Sequence, residues 1–214
     1  MSDLQEFLDR NVSGYLFGDI QSLIDVPPSG AGGCNYPLLQ TVLAGIELLG
    51  TLLSDEPFDP YRGGRLCFAR FWRERLYPID VARGQAGEAV YQLARHGLAH
   101  CFVAKAPVYV SKSLSNAGAH LHRNADGHVL IDGAVLGADL RNVYEGSVRA
   151  ELLVKPAARM RFDELQRHFV DVTKHLAALA ELPLRLGPVG HVGATGPMHP
   201  PGGFKGLKKP DTGF

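Results

Sequence analysis

Cysteine is scarce in this sequence: Cys34, Cys67 and Cys101 are the only three, and no two of them form a CxxC pair. An odd, widely spaced set argues against a disulfide scaffold or a cysteine zinc knuckle and suits a reducing compartment. Net charge is absent as well, with 22 basic residues against 22 acidic ones. No global field therefore draws in nucleic acid or an anionic membrane, and any polyanion must be met by a local patch. The opening Met1-Ser2-Asp3-Leu4-Gln5-Glu6 is polar and acidic, where a signal peptide would be basic and then apolar. The most apolar stretch, Leu38 to Leu53, carries Gln40, Thr41 and Glu47 and is expected to fall short of a membrane span. Together these absences set the expectation of a soluble, cytoplasmic protein with no membrane partner.

What is present is an ordinary globular composition, 45% hydrophobic and 21% charged over 214 residues. That length suits one sizeable domain or two small ones. Leu4, Phe7, Leu8, Val12 and Tyr15 or Leu16 fall on one helical face, so the spacing predicts a first helix capped by Ser2 or Asp3 and reaching Ile24. Gly14 and Gly18 mark its weak point. A Pro27–Gly33 connection leads to a second helix, from Asn35 as N-cap to about Leu53, apolar nearly all round and so expected at the centre of a bundle. A third helix is predicted over Gly64 to Leu76, stopped by Pro78, and a fourth over Gln85 to about Val103.

Past Pro107 the pattern changes. Val108-Tyr109-Val110 is β-prone, and His120–Arg123 and His128–Asp132 flank Asp126-Gly127, which predicts a β-hairpin. Fifth and sixth helices follow, about Leu136 to Val154 and Phe162 to Leu182, with Asp163 as a candidate cap of the sixth. Glycine and proline dominate from Pro183 to Phe214. The expected organisation is a mainly α helical domain over residues 1–182, with a small β-hairpin insertion at about 108–132, and an irregular C-terminal tail over 183–214.

The chemistry-bearing string is Val90-Tyr91-Gln92-Leu93-Ala94-Arg95-His96-Gly97-Leu98-Ala99-His100. It resembles the signature helix of the HEPN superfamily, helical bundles marked by Arg, a polar residue, several variable residues and then His. The apolar helix with Gly45-Ile46-Glu47-Leu48-Leu49-Gly50 extends the resemblance to about half the chain; the hairpin and tail lie outside it. Arg followed by His at comparable spacing occurs four times, also at Arg123–His128, Arg161–His168 and Arg185–His191. Helical context and the small residues Gly97 and Ala99 favour the first, and Arg161–His168 is its one serious rival.

The resemblance implies a HEPN-like bundle that dimerises through its motif helices and forms a shared cleft. It implies a metal-independent endoribonuclease with no cofactor and with RNA as partner. His100 would exchange the ribose 2′-OH proton, Arg95 would hold the phosphate oxygens in its planar fork, and His96 would position the phosphate or share the proton transfer. The alternative is a non-catalytic HEPN-like scaffold that binds RNA or a protein, an antitoxin-like partner among the options. A plainer reading makes Arg95 and His100 helix-end groups that satisfy the last carbonyls.

Glu47, mid-way along an apolar helix, needs a partner. Arg95 is a candidate, as are Arg70, Arg73 or solvent. Phe68 to Tyr77 interleaves aromatics with arginines, so Arg70 and Arg73, with Lys105 beyond the motif helix, are candidate nucleic-acid contacts. The competing expectation packs the aromatics inward and leaves the arginines in water. His96 and His100 share a helix face and His120 and His122 a strand face, yet no His-Glu-x-x-His pattern completes a metal site, and none is expected.

Overall fold

The computed structural model describes residues 3–27, 33–56, 59, 63–101 and 108–169, without the side chains of residues 99–101 and 169. All of them belong to one compact unit, Met1–Asp171. The expected tail and the end of the sixth helix, together with Lys105, lie outside the described residues. Among the described residues the chain is mainly helical, with a small two-stranded parallel sheet.

Helix α1 covers residues 4–25 without a break at Gly14 or Gly18. Its middle, Leu8–Leu16, relaxes into the wider π form, and the Phe17 N–H reaches back five residues to the Val12 carbonyl. Helix α2, Asn35–Leu53, starts one residue away from the expected cap. Cys34 occupies the cap position with φ 60, and Asn35 is already helical. Helix α3 covers residues 63–76, α4 is Val81–Gln85, and α5 covers residues 87–101. Asp80 caps α4 by accepting from the Arg83 N–H.

Helix α2 is the hub: it contacts α1, α3, α5, helix α6 (residues 133–154) and helix α7 (Pro156–Phe169). Its length and apolar composition would suit a bilayer span, but here Leu38, Leu39, Val42, Leu43, Ile46, Leu49 and Leu52 are buried against the other helices. At Gly50 a Cβ would collide with the Cys67 carbonyl of α3, so this glycine is what lets the two helix backbones approach. The aromatic helix packs inward, with Phe68, Phe71 and Trp72 buried and the Trp72 indole N–H donating to the Arg83 carbonyl at 2.8 Å. Arg70 and Arg73 face solvent on the opposite side.

Three local expectations need correction. The β-hairpin does not form as a ladder: β1 (Val108–Ser111) and β2 (Val129–Asp132) pair in parallel, Val108 opposite Val129 through Ser111 opposite Asp132. The Asp126-Gly127 turn is real, with Gly127 at φ 80 and the Asn124 side chain accepting from the His128 N–H. It closes one antiparallel bridge, Arg123 to Val129, flanked by the Asn124 N–H donating to the His128 carbonyl and the Leu121 N–H to the Leu130 carbonyl, each at 2.8 Å, so the two arms meet at the turn without extending into a ladder. Leu121 at φ 61 swings the preceding chain away from a strand. His120 is consequently buried and His122 exposed, so they do not share a face.

The second correction concerns α7, which begins at Pro156 rather than near Phe162. Lys155 is extended and proline supplies the first helical position, where its missing N–H costs nothing. Asp163 is therefore interior to α7, 3.9 Å from Arg159 one turn earlier, and not a cap. The fifth predicted helix also starts earlier, because the Asp132 carboxylate accepts from the Ala134 and Val135 N–H groups.

Candidate functional site

Glu47 and Arg95 come together. The Arg95 Nε donates to the Glu47 Oε2 at 2.9 Å, tying the motif helix α5 to the central helix α2. Both side chains keep roughly a quarter of their surface exposed, 23% for Arg95 and 24% for Glu47. The bond engages Nε, so it does not consume the two terminal nitrogens of the guanidinium, which are the donors that grip a phosphate or carboxylate. Gly64 of α3 makes room for the pair, since a Cβ there would collide with Glu47 Oε1. Tyr91, one turn before Arg95, stands close by; burial and then the Glu47 charge raise its phenol above the usual range, with Arg95 and Arg65 opposing.

The pair lies on the wall of a cleft of about 210 Å3. Helix α2 supplies Glu47 and Leu48, and the residues after it supply Ser54, Glu56 and Asp59; α3 supplies Gly64 and Cys67; α5 supplies Arg95; α7 supplies Arg161 and Leu165. Arg161 is the unexpected member. Only 3% exposed, it forms a close ion pair with Glu164 and donates from Nε to the Ser54 carbonyl at 3.4 Å. The arginine of the rival Arg–His motif thus lines the same cleft as Arg95. A sequence signal for this exists: Ala158, Phe162 and Leu165 form the apolar stripe of α7, and Arg161 interrupts it.

The other candidates scatter. His96 is exposed on α5 and does not line the cleft, as adjacent helical residues point apart. His100 belongs to α5 by its backbone, one and a half turns beyond Arg95, but its side chain lies outside the described residues. The π-type turn at Tyr91–Arg95 does not single out the motif, because α1, α3 and α6 contain the same widening. Arg70 and Arg73 line a separate depression of about 250 Å3 with Arg75 and Lys155. Most of that charge is already paired: Arg73 with Glu74, Arg75 with Glu151, Lys155 with Asp55. Among the described residues no group of three His, Cys, Asp or Glu side chains could hold a metal ion.

A second polar cluster, absent from the sequence reading, is buried at the sheet. Asp132 is fully buried, yet its Oδ1 caps α6 while its Oδ2 accepts from the Ser111 hydroxyl at 2.5 Å, the Ser113 N–H at 2.8 Å and the Asn116 amide at 3.0 Å. Burial alone would raise this carboxyl; the donors of Ser111, Asn116, Val135 and Ser113 outweigh it and hold the carboxyl below its ordinary value. The Asp132 N–H donates to His120 Nδ1 at 3.0 Å. Nδ1 therefore carries no proton, and the ring hydrogen resides on Nε2, 3.3 Å from the Tyr77 hydroxyl, which itself donates to Asp139 at 3.0 Å. Burial, followed by the Arg83 charge, lowers His120 to about 4, so the ring is neutral at pH 7.

No family model, curated protein or solved structure matches this chain.

Proposed function

We propose that the protein is a HEPN-like RNA-acting protein, a metal-independent endoribonuclease built around Arg95 and His100. The reading is carried by one observation: a carboxylate on the central helix, Glu47, fixes Arg95 on the wall of an open cleft. A guanidinium needed only to finish a helix would have no use for a half-buried partner 48 positions away. An arginine that must meet phosphate oxygens in a set orientation gains from one, since preorganised donors need not reorganise as charge develops.

In the proposed reaction His100 takes the proton of a ribose 2′-OH, whose oxygen attacks the adjacent phosphorus. Arg95 stabilises the added negative charge on the phosphorane. The 5′-oxygen of the next nucleotide leaves with the proton that His100 took up, returned by its imidazolium, so the histidine ends neutral and the product carries a 2′,3′-cyclic phosphate. Two copies pairing through α5 would bring both Arg95–His100 sets into one cleft, so the active species is proposed to be a dimer.

A non-catalytic scaffold is the second reading, and the same ion pair supports it: paired to Glu47, Arg95 offers a phosphate less net charge. One assay separates the two. In EDTA, the wild type should cleave single-stranded RNA to cyclic-phosphate ends, and Arg95→Ala and His100→Ala should each lower the rate about 100-fold or more. RNA binding without cleavage selects the scaffold. Cleavage undiminished in both variants sinks the nuclease reading, and a wild type that neither binds nor cleaves varied RNAs sinks both.

A further inference from the structure

Helix α3 turns Phe68, Phe71 and Trp72 into the core and carries Leu66, Arg70 and Arg73 on its outside. Leu66 keeps 62% of its surface exposed. It lines a groove of about 530 Å3 along the outer face of α3, to which Ala69 and, from the first turn of α5, Glu88 also contribute. One exposed leucine on its own would mean nothing. The groove and the order of the charges around it give this one a direction.

Those charges are sorted along the helix. Glu56 lies at the end where α3 begins, and its segment is fastened there because the Gly63 N–H donates to the Asp59 carbonyl at 3.0 Å. Arg70 and Arg73 lie at the other end; from Gly63 to Arg73 the usual helical rise amounts to about 15 Å. Leu66 and Ala69 fall between the two ends. The ion pair of Arg73 with its neighbour Glu74 is exposed, at 59% and 49%, so it exchanges for another partner at little cost.

A surface that is acidic at one end, apolar in the middle and basic at the other is its own complement. Two copies of α3 laid antiparallel about a two-fold axis near Leu66 set each Arg70 end against the partner's Glu56 end. One sequence thus makes the same contact twice. No long-range repulsion opposes the approach, since the chain has a net charge of zero. An RNA strand fits this face less well: it would be drawn to the arginines and repelled by Glu56 and Glu88 in the same groove.

We propose that the outer face of α3 is an isologous dimer interface, with Leu66 at its centre and Arg70 of each copy paired to Glu56 of the other. The inference takes the dimer of the proposed function as its premise and names the surface that forms it. Ser54, Glu56 and Cys67 line both this groove and the cleft of Arg95, so the second copy borders the candidate site.

Sedimentation velocity of the full chain without RNA, from about 1 to 100 µM, tests the proposal. The wild type should dimerise, and Leu66→Asp should weaken the dimer about tenfold or more. Arg70→Glu and Glu56→Arg should each weaken it as well, because the two-fold axis repeats every like-charge contact. All three side chains are exposed, so each protomer should keep its fold. Combining Arg70→Glu with Glu56→Arg in one chain should restore the dimer. Mixing the two single variants should restore it too, since in the mixed pair both contacts again join opposite charges.

A wild type that stays monomeric throughout overturns the proposal. So does a dimer indifferent to Leu66→Asp, or charge variants that neither the mixture nor the double variant rescues. Arg70→Glu that loses binding to an oligouridylate while its dimer is intact assigns the face to RNA and also overturns it. The nuclease reading is judged separately. If both readings hold, Leu66→Asp should lose RNA cleavage along with the dimer. A charge-swapped dimer in a protein that cleaves no RNA keeps this interface and sinks the nuclease, and cleavage that needs Arg95 and His100 but ignores Leu66 and the charge swaps does the reverse.

Discussion

Glu47 and Arg95 are 48 positions apart in the chain and 2.9 Å apart in space, and their bond joins the most buried helix to the helix that carries the Arg–His motif. The pair is neither a surface ion pair, which would be worth little, nor a sealed one, whose desolvation would offset its attraction. Glu47→Ala should therefore cost about 1–3 kcal/mol, the value of a hydrogen bond to a charged group at a partly buried site. Urea unfolding reads this directly. Glu47→Gln should recover part of the loss, since its carbonyl still accepts from Arg95 Nε. If Glu47→Ala is as stable as the wild type, the pair contributes nothing to the fold.

Gly64 tests the same pair from α3. Alanine in place of glycine ordinarily favours a helix, by about 0.5–1 kcal/mol in its interior and by less at Gly64, the second residue of α3. Here the new methyl would overlap Glu47 Oε1, with Tyr91 close behind it. The sign should reverse: Gly64→Ala should destabilise the protein by about 1–2 kcal/mol through overpacking. A Gly64→Ala, Glu47→Ala double variant should regain the helical benefit, because the clash partner is gone. Thermal unfolding of the three variants decides it.

Which features were legible in the sequence follows from the range of the forces involved. Helix α2 declared itself by its apolar content, and Glu47 declared its need for a partner by standing inside that run; the partner the motif offered, Arg95, is the one the fold supplies. The aromatic helix was equally readable, since Phe68, Phe71 and Trp72 repeat at helical spacing and do turn inward. The sheet was not. Asp126-Gly127 makes a turn by local chemistry, but β2 chooses a strand that lies 21 residues upstream, register by register, and no local signal encodes that choice. Arg161 fell between the two: its stripe on α7 was visible, but that it would face the cleft of Arg95 depended on how α7 docks.

Asp132 ends β2, caps α6 and gathers Ser111, Ser113 and Asn116 into one knot. Asp132→Ala removes the cap and leaves several buried donors unpaired, so a loss of about 2–4 kcal/mol is expected. Asp132→Asn separates the two jobs. Its carbonyl oxygen can still cap α6, whereas its amide nitrogen cannot accept from the Ser113 N–H or the Asn116 amide. It should fall between the wild type and Asp132→Ala in denaturant midpoint. Equal losses for Asn and Ala would mean that the cap contributes nothing.

His120 makes the protein sensitive to acid. Folding seals the ring away from water beside Arg83, and its pKa drops from 6.5 to about 4. Between those values the unfolded chain binds a proton that the native state refuses, so stability falls as pH is lowered from about 6.5 towards 4 and is fully retained above that window. At 1.36 kcal/mol per pKa unit the loss at the bottom of the window is on the order of 3 kcal/mol. Asp132, whose carboxyl is depressed below its ordinary value by its donors, adds its own loss at still lower pH. Asn at position 120 can accept from the Asp132 N–H without titrating. His120→Asn should therefore be less stable than the wild type at pH 7, where it forfeits packing and the Tyr77 contact, yet nearly flat between pH 6.5 and 4. Urea midpoints at pH 7, 5.5 and 4.5 show whether the two curves converge. A wild-type stability that does not change across that window would mean that His120 takes up its proton in the native state without cost.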